Sequence, residues 1–317
     1  MKKRLFGILT TALVLSIGCT EGDKAIEEVL VEVDRGAVLR TLQINNAEFD
    51  INDTAAVVDI DLEEQDIEEG DLLESVSISV RFVDNTPENG DNTSNTVQAM
   101  ALTQGDFEPG ANGLPITKLQ FSFAELLNLT TVAYESVSCK DQFRIDLALA
   151  LTDGRVFTTS NSSGTVVNNT GFFKSPFSYV INIVEPIEET AFTGTYRLSI
   201  EEEGFFGPTF NDGQLVTLTQ GHSNNVRVFE ARLNSETVPF EFSVVCDAAV
   251  VTRYQKSGFG CSSDFSDRVL LGPDREPGLT NQNDDAVLEL KFVEAFEGYD
   301  AFCNMPEVPV VIRLSKQ

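Results

Sequence analysis

This chain of 317 residues contains no tryptophan and one histidine, His222. Each shortage closes off a class of chemistry. Without tryptophan, a sugar-stacking platform has to come from 5 Tyr or from exposed members of the 23 Phe, as in GFFKSPF (171–177) or GFFGPTF (204–210). The simpler role for those phenylalanines is to plug the ends of sheets. One histidine in a polar turn, QGHSNN, leaves too few nitrogens for a zinc centre or a Ser–His–Asp triad. No glycine-rich phosphate loop opens a helix, and no cysteine pair has zinc spacing. Paired carboxylates for glycoside hydrolysis need only two facing acids, but with 50 acids in the chain proximity by chance is the expectation. The reading is therefore not an enzyme.

Positive charge is scarce as well. There are 22 Lys and Arg against 50 Asp and Glu, a net charge of −28. Such a surface repels nucleic acid and anionic headgroups, so no nucleic-acid partner is expected. Beyond the N-terminus no apolar run is long enough to span a membrane, which takes about 20 residues.

What the N-terminus does carry is a leader. Lys2, Lys3 and Arg4 precede an apolar stretch from Leu5 to Leu15, and then come Ser16, Ile17, Gly18 and Cys19. A basic start, a short apolar core and a small residue before a cut site mark an export signal. LSIGC resembles a bacterial lipobox, with leucine four places before the cysteine rather than three. It implies that Cys19 takes a diacylglycerol, including palmitate-like chains, and becomes the mature first residue. Acyl chains at about 0.8 kcal/mol per buried methylene then hold a soluble body on the membrane. Removing residues 1–18 leaves 19 bases against 50 acids. The expected organisation is a lipoprotein signal peptide (1–18), an acidic tether (19–36) and two β domains (37–186 and 190–317).

Period-two alternation marks half-buried strands. In AVLRTLQI it groups Val38, Arg40, Leu42 and Ile44; in VVDIDL it turns Val58, Ile60 and Leu62 inward. ESVSISVRFVD gives Val76, Ile78, Val80 and Phe82. FAELLNL (123–129) reads as a helical turn, and TDGR (152–155) as a tight hairpin with Gly154 at positive φ. Seven or more strands between turn residues predict an all-β fold opening with an immunoglobulin-like sandwich. EPIEET (185–190) reads as a linker. Eight further short strands predict a second small antiparallel barrel or sandwich.

Four cysteines follow Cys19: Cys139, Cys246, Cys261 and Cys303. Export permits oxidation, and the clustering of the last three predicts one bridge among them. Cys261–Cys303 is the first choice and Cys246–Cys261 the second, and spacing alone does not decide. DNTPENGD (84–91) offers Asp84, Glu88 and Asp91 around Gly90, hard oxygen donors suited to Ca2+, although the same residues are ordinary turn formers. DLEEQDIEEGD (61–71) reads as a charged strand end and turn.

Several stretches are similar to surface lipoproteins of Bacteroidota encoded beside Sus-type TonB-dependent transporters and their lid lipoproteins. They are LRTLQINNAEFDIND, LLESVSISVRFVDNTPENGDNT and LALTDGRVF, with FTGTYRLS and VVIRLSK less specifically. The resemblance implies an outer-membrane, outward-facing accessory component of glycan or peptide uptake. Its implied partners are the transporter, its lid and outer-membrane lipid through Cys19. CTEGD resembles the acidic export signal of that phylum, and DTA (53–55) its O-glycosylation acceptor, with Thr54 as the sugar site. The other readings are a structural subunit without a small ligand, and a second domain that binds a hydrophobic ligand inside its barrel.

Overall fold

The computed structural model describes residues 36–233, 236–259, 269–281, 284–298 and 305–317. Cys19, Cys261 and Cys303 lie outside the described residues, as do the leader and nearly all of the tether. About half of the chain, 51%, is strand, with two short helices among the described residues. Its N-terminal part is built of β-sheets that include a half-barrel, and its C-terminal part is a closed seven-stranded β-barrel.

In chain order the N-terminal part carries β1 (Val38–Asn46), β2 (Glu48–Asp50), β3 (Val57–Gln65), β4 (Leu73–Val83), β5 (Val97–Thr103), β6 (Glu108–Pro109), β7 (Pro115–Ser122), α1 (Phe123–Thr130), β8 (Gln142–Leu151), β9 (Val156–Phe157), α2 (Gly164–Val167) and β10 (Ser178–Val184). One sheet runs β1-β3-β7-β6 and the other β2-β10-β8-β4-β5, with β9 hairpinned onto β8. The alternating apolar sets of both sheets meet in one core. Val58, Ile60 and Leu62 come from the first; Val76, Ile78, Val80, Phe82, Phe143 and Ile181 come from the second. Ser122 starts α1 with a reciprocal cap: its hydroxyl accepts from the Glu125 amide at 3.2 Å, and its own amide donates to the Glu125 carboxylate at 2.7 Å. The cap aims Phe123 into the core, where it stacks on Phe49 with ring centroids 4.8 Å apart.

The first strand departs from the expected register. Leu39 is buried to 1% exposure, whereas Leu42 is 45% exposed. Irregularities between Thr41 and Gln43 and between Ile44 and Asn46 shift which residues face the core.

The C-terminal part carries β11 (Gly194–Glu202), β12 (Leu215–Gln220), β13 (Val226–Leu233), β14 (Glu236–Val245), β15 (Ala248–Val251), β16 (Gln255–Lys256), β17 (Leu270–Pro273), β18 (Gly278–Leu279), β19 (Val287–Glu294) and β20 (Val308–Lys316). Antiparallel pairing runs β19-β20-β11-β12-β13-β14-β15, and β15 meets β19 in parallel through Val250 and Lys291 to close the ring. The interior is filled by Phe210, Phe229, Phe240 and Phe292, whose neighbouring centroids lie 5.2–6.2 Å apart. Small barrels close on packed side chains in this way.

The segment between the two parts is held rather than loose. Arg227 shares the inward face of β13 with Phe229 and Ala231 and is fully buried. Its guanidinium donates to the carbonyls of Ala191 (2.6 and 2.8 Å), Asn224 (2.7 Å), Val226 (2.8 Å), Glu188 (3.3 Å) and Glu189 (3.4 Å). Asn225 reaches the same segment, donating to the Glu185 carbonyl at 2.8 Å. Ile187 and Phe192 are buried in the barrel core. Ile187 and Phe192 thus anchor the segment in the barrel, and between them the Arg227 guanidinium bonds the carbonyls of Glu188, Glu189 and Ala191.

Candidate functional site

Side chains in a strand alternate faces, and this rule builds a cleft between the two parts. Tyr179, Ile181 and Ile183 of β10 face the N-terminal core, so Ser178, Val180 and Asn182 face away from it. Glu48, Asn182 and Gln142 are neighbours in register across β2, β10 and β8. Opposite them, Phe240, Phe242 and Val244 of β14 fill the barrel and leave Pro239, Glu241 and Ser243 outside it. The two outer faces enclose a cavity of about 460 Å³, to which Thr252 and Lys174 also contribute. That volume lies within the usual range for small-molecule sites.

At its inner end the cleft holds a buried carboxyl. Glu48 is 6% exposed and accepts hydrogen bonds from the hydroxyls of Ser223 and Ser243, two barrel residues far away in sequence. Burial pushes its pKa up, an effect the two hydroxyls only partly offset. His222 lines the same cavity, its Nδ1 4.0 Å from Glu241 Oε2. The side chain is 18% exposed, and its Nε2 has no hydrogen-bond partner among the described residues. A solvent-facing turn residue was the expectation; the fold instead brings the β12–β13 turn against β2. Ser223 and Ser243 both donate to Glu48, so this arrangement desolvates a carboxyl and couples the two parts.

Covalent and polar ties fix the width of the cleft. Cys139, just before β8, is disulfide-bonded to Cys246 at the β14–β15 turn, with Cα atoms 6.2 Å apart. The adjacent residues Lys140 and Asp247 form an ion pair. Asn169 donates to the Arg253 carbonyl at 2.7 Å, and its amide donates to the Tyr254 carbonyl at 3.1 Å. The Cys139–Cys246 bond corrects the alternative pairing of Cys246 with Cys261. The fold sets residues 138–141 beside a barrel turn, a proximity that spacing does not report. The even number of cysteines after Cys19 was the usable signal, because full pairing of the four would give Cys139 a distant partner.

The remaining sequence candidates are scattered. Thr54 is exposed on the β2–β3 turn, where the Asp53 carboxylate accepts from the Ala55 amide at 2.9 Å. Asp84 accepts from the amides of Thr86 (2.8 Å) and Asn92 (2.9 Å), and Asp91 from that of Thr93 (3.0 Å), while Glu88 is exposed. Against the cost of desolvation, the bonds from Asn92 and Thr86 hold the Asp84 carboxyl below its ordinary range. These acids are organised as turn formers, and no group of three or more His, Cys, Asp or Glu is arranged to hold a metal ion among the described residues. The aromatic stretches divide: Phe177 and Phe210 are buried, whereas Phe205 and Phe206 are 53% exposed and Phe172 is 79% exposed.

Sequence reasoning missed Glu64. It lies in the acidic run at the end of β3, fully buried, with neither carboxyl oxygen hydrogen-bonded among the described residues. Burial, reinforced by Asp66, pushes its pKa up to about 8. Asp66 is the turn former of that run, accepting from the amides of Glu68 (2.6 Å), Gly70 (3.0 Å) and Leu72 (2.9 Å). No family model matches this chain, and neither does any curated protein.

Proposed function

We propose that this protein is an outer-membrane surface lipoprotein, anchored through Cys19, that binds a glycan or peptide as a non-enzymatic accessory of an uptake complex. The observation that carries the anchoring is the leader ending in LSIGC and followed by an acidic tether. The binding half of the proposal rests on the cleft, whose walls are braced by the Cys139–Cys246 bond and the buried Glu48 cluster. We read the N-terminal sheets as an immunoglobulin-like sandwich, a reading supported by two sheets that share one core. The hydrophobic-ligand reading is set aside because phenylalanine rings occupy the barrel interior.

The test is purification from detergent-solubilised membranes of the cell that makes the protein. We expect an acylated Cys19 by mass spectrometry, together with a co-purifying transporter and lid. An unmodified thiol at Cys19, or an uncleaved leader, would defeat the proposal. Co-purification without binding of any glycan or peptide in calorimetry would replace it with a structural subunit.

A further inference from the structure

The second sheet ends in a strand with unusual chemistry. Among the described residues β5 pairs with β4 on one side and with no strand on the other. Edge strands are ordinarily guarded by lysine, proline, inward charge or a bulge, which stop another strand from adding on; of these β5 carries only a bulge, near its start. β5 reads VQAMALT, and the uncharged stretch continues from Asn92 to Gln104. Gln98, Met100, Ala101 and Thr103 are exposed. The one irregularity lies between Gln98 and Met100, opposite Ser79 and Ile78, and leaves Met100 to Thr103 in regular pairing with Ile78 to Ser75.

Charge on both flanks selects the occupant. From Phe82 to Thr117 the chain has no Lys, Arg or His, while Asp84, Glu88 and Asp91 precede the strand and Asp106 and Glu108 follow it. A second copy pairing β5 to β5 would set acid against acid at both ends. A strand with basic flanks meets opposite charge at both ends. A hollow of about 400 Å³ on the same sheet adjoins the edge, with Gln98 of β5, Ser77 and Ser79 of β4 and Thr158 to Ser160 in its lining. Hydrogen bonding along a free edge supplies affinity, and an adjoining pocket supplies side-chain selectivity.

We propose that β5 is a strand-addition site for an extended segment of another polypeptide, uncharged and alternating at its centre and flanked by Lys or Arg. The site is separate from the cleft and does not depend on the lipid anchor.

The test uses the full chain and a synthetic peptide of alternating threonine and valine with paired lysines at both ends. The same peptide with paired glutamates serves as its control. In low salt the lysine peptide is expected to slow amide exchange across residues 97–103 and to bind about tenfold or more tighter than the glutamate peptide. The gap should shrink as salt screens the flanks. Met100→Lys should remove binding, and Glu88→Lys combined with Glu108→Lys should remove the preference for lysine. No protection at residues 97–103, or equal binding of the two peptides, would overturn the proposal. So would concentration-dependent protection without peptide, which would make a second copy the occupant.

Discussion

Replacing Cys139 and Cys246 together by serine removes the one disulfide between the N-terminal sheets and the barrel among the described residues. The bond spans a sequence separation of 107 residues. Closing a loop of that length lowers the entropy of the unfolded chain by about 16 cal/mol/K, or about 4.8 kcal/mol at 25 °C. Native contacts on either side survive the substitution, because Asn169 and Glu48 hold the parts together independently. Unfolding of the compact unit Ala37–Gln317 carries roughly 0.6 kcal/mol/K at about 2.1 cal/mol/K per residue. The double variant should therefore melt about 8 °C below the parent in a calorimetric scan at neutral pH. A reductant should lower the parent's Tm by a similar amount. A shift below about 1 °C would refute the reasoning, because the loop-closure entropy would then have no effect on stability. An equal loss from reductant in parent and double variant would place the stabilising bridge elsewhere.

Three further perturbations follow. Arg227→Met strips donors from the carbonyls of Glu188, Glu189 and Ala191 and removes a buried cation's hydrogen bonds, and should cost on the order of 3 kcal/mol in urea denaturation. A loss under about 1 kcal/mol would show that those carbonyls find other partners. Glu64→Gln addresses pH. The folded protein retains the Glu64 proton up to about pH 8, whereas the unfolded chain releases it near the ordinary carboxyl value. The stabilisation is thus complete below that ordinary value and is lost as pH rises through about 8. Urea midpoints of the parent should fall by a few kcal/mol equivalent between pH 5 and about 8.5, while the glutamine variant loses less; parallel pH profiles would contradict the burial argument. Glu48→Ala leaves the Ser223 and Ser243 hydroxyls without their acceptor. Amide exchange should quicken at residues 48–50 and 222–225 while the barrel strands stay protected, and unchanged exchange at those positions would remove Glu48 from the coupling.

The central strands were legible because both of their faces obey simple rules. In β3 and β4 the apolar residues fall at every second position, and Val58, Ile60, Val76 and Phe82 are all fully buried. β1 was misread because alternation assumes an unbroken pleat, and its bulged register moves Leu42 outward and Leu39 inward. The strand pattern of the second part left barrel and sandwich both open, since closure depends on one parallel pair, Val250 with Lys291. The cleft was invisible for a related reason. Its Glu48 meets serines 175 and 195 positions away, and neither a motif nor a period connects such residues. Arg227 sits between two valines in sequence, and its burial is tolerable because carbonyls of the preceding segment and of Asn224 and Val226 accept its donors.

That arrangement bears on how separable the two parts are. The stretch before the barrel is one of its components, because it contributes Ile187 and Phe192 to the interior and takes up the donors of the barrel's buried cation. Excision at residue 192 would leave the guanidinium only the carbonyls of Asn224 and Val226. Any transplant of the barrel onto another scaffold has to bring its own stopper, beginning no later than Glu185.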